Sequence, residues 1–75
     1  MIGQIASQTG IHRGIVLAIL YEAAGHYISF LESNDQWHLG RHTGLLRGLV
    51  LQGADNNLVA DACNIIAKQR QESTL

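Results

Sequence analysis

"HYISFLESNDQWHLG", His26 to Gly40, has two readings, and the fold turns on the choice between them. As a strand pair, Ile28 and Phe30 share one side of a first strand. Ser33-Asn34-Asp35 makes a polar turn, and Trp37 and Leu39 alternate on a second strand, Gln36 to Leu39. As a helix, Glu22, His26, Ser29 and Ser33 fall on one polar stripe, opposite Leu20, Ala23, Tyr27, Phe30 and Leu31. Periodicity favours the helix. Gly25 and the weak helix propensity of His-Tyr-Ile-Ser-Phe favour the strands.

Toward the N-terminus, "IGQIASQ" predicts a short helix from Ile2 to Gln8, broken at Gly10, which permits a tight turn with positive φ. "IHRGIVLAILYEAAG" predicts a helix from Ile11 to about Ala24, with Ile11, Val16, Ile19, Leu20 and Ala23 at helical spacing. Toward the C-terminus, Thr43 is expected to cap a helix from Gly44 to Gln52 that ends at Gly53. "GADNN" is a turn, and Asp55 or Asn56 caps a last helix running to about Gln71. On that helix Leu58, Val59, Ala62, Ile65 and Ile66 share one face, and Asp61, Asn64 and Lys68 the other. "TGIHRGIVL" and "TGLLRGLVL" nearly repeat, but two copies fall short of a stacked array and read as two helix beginnings.

The 75 residues make one small domain, short enough that oligomerisation or a bound partner is expected to help its stability. A net charge of −1 argues against a solitary high-affinity DNA binder and leaves a dimer with a local basic face. Cys63 is the only cysteine, so no disulfide forms within the chain and an intracellular, cytoplasmic setting is expected. The longest apolar-leaning run, Ile15 to Leu31, is interrupted by Glu22, His26 and Ser29, and no transmembrane helix is expected. "MIGQIASQ" lacks the basic region and apolar core of a signal peptide.

A helix-turn-helix needs a small residue where two helices touch, a glycine in the turn and apolar residues after it. Ile5, Ala6, Gly10, Ile11, Val16 and Ile19 fill those slots. Through "IASQTGI", "VLAIL" and "WHLG" the chain resembles winged helix-turn-helix DNA-binding domains, most of all those of IclR-type transcriptional regulators, over roughly Gln4 to Leu49. The resemblance implies a mainly α fold with a small β-hairpin wing. Residues 2–24 would form the helix-turn-helix, 26–39 the wing and 43–71 two C-terminal helices, within a single domain of residues 1–75. An all-α small helical bundle is the alternative. The last helix, Asp55 to Gln71, of the same or a partner chain, would take the place of the helix that precedes the motif in such domains.

The resemblance further implies a homodimeric transcriptional regulator acting by occupying a DNA site. Its recognition helix would present His12, Arg13, Gly14, Leu17, Ala18 and Tyr21, with Arg13 on guanine and His12 on a phosphate or base edge. Gln4, Ser7, Gln8 and Thr9 would meet the backbone, Ser33, Asn34 and Gln36 would sit at the wing tip, and Arg41 and Arg47 would add phosphate contacts. Leu17 and Ala18 are poor base readers and Asp35 would repel phosphate. The alternative function is therefore a protein-protein interaction module, a small inhibitor or adaptor docking on a larger protein without DNA.

No phosphate loop, paired carboxylates or triad is present, so no enzyme is expected. His38-x-x-x-His42, with His26 and Cys63, supplies zinc-compatible ligand types, but the wing assignment separates the two histidines and paired cysteines are missing. No metal or cofactor is expected, and Cys63 reads as a small core residue. Glu22 and His26 read as an i,i+4 surface pair. Gly40, Gly44 and Gly48 recur every four residues, a smooth ridge suited to a close helix contact or dimer seam.

Overall fold

The computed structural model describes residues 1–73. Its elements are α1 (Ile2–Thr9), α2 (Arg13–Ser33), α3 (Gln36–Leu51) and α4 (Asn56–Ser73). Among the described residues there is no strand, so the expected β-hairpin wing at 26–39 is absent and the fold is the all-α bundle. Residues 26–33 complete α2, and 36–39 open α3.

Two local features explain the correction. Gly25 does not end a helix; it leaves space that the end of the Arg70 side chain occupies. A Cβ there would lie 2.8 Å from Nη1 of Arg70 on α4. That guanidinium donates to the Tyr21 carbonyl at 2.9 Å and lies 4.3 Å from the centre of the Tyr21 ring. The polar triplet Ser33-Asn34-Asp35 is a helix stop followed by a helix start. Asn34 takes the left-handed conformation, φ 57°, and its N–H donates to the Phe30 carbonyl at 2.7 Å. The Asp35 carboxylate accepts from the Trp37 N–H at 2.9 Å and caps α3. Turn-forming residues serve a helix pair as readily as a hairpin, and α2 and α3 run antiparallel from this corner, placing His26 beside His38 and Ala23 beside His42.

Elsewhere the expected boundaries shift less. Gly10 ends α1 at φ 74°, as anticipated, with its N–H on the Ala6 carbonyl at 2.9 Å. Thr43 is not a cap: it lies inside α3, which starts at Gln36, eight residues before the expected Gly44, with Asp35 as its cap. Asp55 does cap α4, accepting from the Leu58 N–H at 3.0 Å. Gly40, Gly44 and Gly48 have open space where side chains would stand, so they make no close helix contact within the chain.

The core is built from Ile5 of α1, Val16, Leu20, Ala23 and Ala24 of α2, Leu49 of α3, and Val59, Ala62, Cys63 and Ala67 of α4. Thus α4 docks on the helices ahead of it within its own chain. By length and composition α2 is apolar enough to cross a membrane, a property core helices share, and here it carries core residues of the bundle.

Candidate functional site

α2 is apolar around most of its circumference, but the bundle covers only one side. Val16, Leu20, Ala23 and Ala24 are buried, while only 22% of the most apolar 18-residue window is buried. A helix that is apolar all round is ordinarily enclosed. Leu17 and Tyr21, one step around from Val16 and Leu20, stay 46% and 51% exposed.

They border a groove between α2 and α4. One hollow of 540 Å³ is lined by Leu17, Tyr21, Ile66, Gln69, Arg70 and Ser73. A second, of 270 Å³, adds Met1, Ile2, Ala62 and Ile65 and shares Leu17, Ile66 and Gln69 with the first. Met1 and Ile65 remain about half exposed at its edge. Of these residues the sequence reading singled out Leu17 and Tyr21 as contact residues and placed Ile65 and Ile66 on the apolar face of the last helix. Met1 and Arg70 were missed, because only packing brings them to the groove.

Most of the residues expected to meet DNA have contacts within the chain. Gln8 uses its Oε1 to accept from the Asp55 N–H at 2.9 Å, tying α1 to the α3–α4 turn. His12 caps α2, its Nδ1 accepting from the Gly14 N–H at 3.0 Å. Arg13 reaches back over α1, where a Cβ at Gly3 would stand 3.7 Å from its Nη1. Asn34 is the C-cap of α2. Arg41 lies 4.0 Å from the Glu22 carboxylate. Arg47 borders a separate hollow with His42, Thr43, Leu46, Val50 and Asn56. Leu17 and Tyr21 belong to the α2–α4 groove.

The α2–α3 side holds two histidine contacts. His26 and His38 face each other with Nδ1 atoms 3.0 Å apart. His42 places Nδ1 3.2 Å from the Ala23 carbonyl and 3.9 Å from Cys63 Sγ. A carbonyl only accepts, so His42 Nδ1 carries the proton and has no lone pair to take one from the thiol. Burial pushes the Cys63 thiol up from its ordinary value, the reverse of what activates a nucleophile. The pair is thus a packing contact. Among the described residues no three His, Cys, Asp or Glu side chains converge as metal ligands.

Comparison with protein-family models, with curated proteins and with solved structures finds no match for this chain.

Proposed function

We propose that the chain is a protein-interaction module that docks an apolar segment of a larger protein partner in the α2–α4 groove. The observation that carries this reading is the exposure of Leu17, Tyr21, Met1 and Ile65 around two adjoining hollows that share Leu17, Ile66 and Gln69. Contiguous apolar surface of this kind marks interaction sites more than scattered apolar residues do. Tyr21 and Arg70 are of the residue types that anchor interfaces, and their mutual stacking holds both in place before a partner arrives.

The test is site-specific photocrosslinking in the host cell, with a photoreactive residue at Tyr21 and, as control, at Lys68 on the exposed side of α4. The expected result is one discrete protein adduct from position 21 that Leu17→Glu abolishes. Absence of any adduct, an adduct only to a second copy of this chain, or salt-sensitive binding to nonspecific DNA that Leu17→Glu leaves intact would overturn the reading.

A further inference from the structure

We propose that His26 and His38 form a proton-operated latch between α2 and α3. Their Nδ1 atoms are 3.0 Å apart and their ring centres 5.3 Å apart, so the two nitrogens meet nearly head-on. A hydrogen bond between imidazole nitrogens requires one N–H and one lone pair. One proton shared between the two Nδ1 atoms satisfies that requirement. Once both rings are imidazolium, each Nδ1 is a donor, the bond is lost, and two positive charges face each other across the helix pair. Imidazole is the side chain whose charge ordinarily changes between about pH 5 and 8.

The surroundings give the latch a direction. The Glu22 carboxylate on α2, its Oε1 3.9 Å from His26 Nε2, is beyond hydrogen-bond distance but electrostatically favours the tautomer with Nε2–H and Nδ1 as acceptor. His38 Nδ1–H is then the donor. Arg41 on α3 lies 4.0 Å from the same carboxylate oxygen and shares its charge. Trp37 packs edge-on against both rings. His42, the other imidazole on α3, is turned to the Ala23 carbonyl, and among the described residues no titratable or charged group of α1 or α4 is hydrogen-bonded or ion-paired to either ring. Head-on nitrogens do not converge on a common metal position, and no third ligand joins them among the described residues, so the shared atom is a proton.

Opening frees the start of α3, whose first turn carries Trp37, 61% exposed, and is otherwise held at the corner by the Asp35 cap. Amide hydrogen exchange on the full chain tests this between about pH 7.5 and 5. After correction for intrinsic rates, protection from Trp37 to Arg41 falls at least ~5-fold relative to α4 as pH drops. His26→Gln and His38→Gln lose that pH dependence, whereas His12→Gln retains it. Histidine ¹⁵N shifts of the native chain at neutral pH place the proton on Nδ1 of His38 and on Nε2 of His26. This second measurement stands even where a variant folds poorly. A pH-independent protection pattern in the native chain, an equal fall in both variants, or Nδ1 unprotonated on both rings overturns the latch.

Discussion

Gly53 has the most constrained backbone of the α3–α4 turn. Its φ is +112°, and a Cβ there would stand 2.7 Å from the Gln8 carbonyl oxygen, a backbone atom that cannot step aside alone. Gly53→Ala should therefore cost at least about 2 kcal/mol in urea unfolding, combining backbone strain with displacement of α1. A loss under about 0.5 kcal/mol would show that the turn relaxes freely. Gly25 is a different case, because the atom in the way is the end of the Arg70 side chain. At Cys63, burial raises the thiol above its ordinary value of 9.0. The fold accepts the protonated thiol and disfavours the thiolate. The stability tied to this group is fully present below that value and is lost as pH rises from it through the raised value. The denaturation midpoint should fall more steeply in the native chain than in Cys63→Ala as the buffer is taken above the ordinary thiol range, and iodoacetamide should react slowly with the folded protein. Parallel profiles for the two chains would contradict this account.

At the scale of elements, α3 is the helix with the most room for improvement. Gly40, Gly44 and Gly48 each weaken it by leaving the backbone free in the unfolded chain, and open space surrounds all three. Gly44→Ala and Gly48→Ala should each stabilise the isolated chain by about 0.5–1 kcal/mol, read from thermal or urea unfolding. Destabilisation instead would mean that another surface approaches this ridge in solution. The helices themselves were largely legible: α1 ended at Gly10 and α4 began after Asp55, because both signals are local hydrogen-bond chemistry. The wing at 26–39 was misread because Gly25, Ser33, Asn34 and Asp35 carry the same local signature at a helix junction as at a hairpin. Thr43 was misread as a cap for a related reason, since a threonine inside a helix is distinguished from an N-cap only by the turn that precedes it.

For the molecule as a whole, the accessible surface is 4742 Å². A compact monomer of this mass has about 4,500 Å². The exposure of α2 is therefore not looseness of the bundle: a normally packed chain has more apolar helix surface than its three other helices cover. Leu17→Glu places a charge where Leu17 is already 46% exposed, and should leave the unfolding free energy in urea within about 0.5 kcal/mol of the native chain while removing the partner adduct. Unfolding by this single change would show that Leu17 serves the core instead. The groove was only half legible, because helical spacing puts Leu17 with Tyr21 and Ile65 near Ile66 but says nothing of which helices lie side by side. The sequence by itself determined helix capacity, the capped ends at Gly10 and Asp55, and the apolar faces of α2 and α4, all of which follow from residues within one or two turns of each other. Only the tertiary structure decided that 26–39 is a junction of two packed helices, that Arg70 fills the space above Gly25, that His26 meets His38, and that the apolar excess of α2 opens onto a groove. Each of these depends on contacts between residues distant in the chain, and no local pattern encodes which distant surface will be the neighbour.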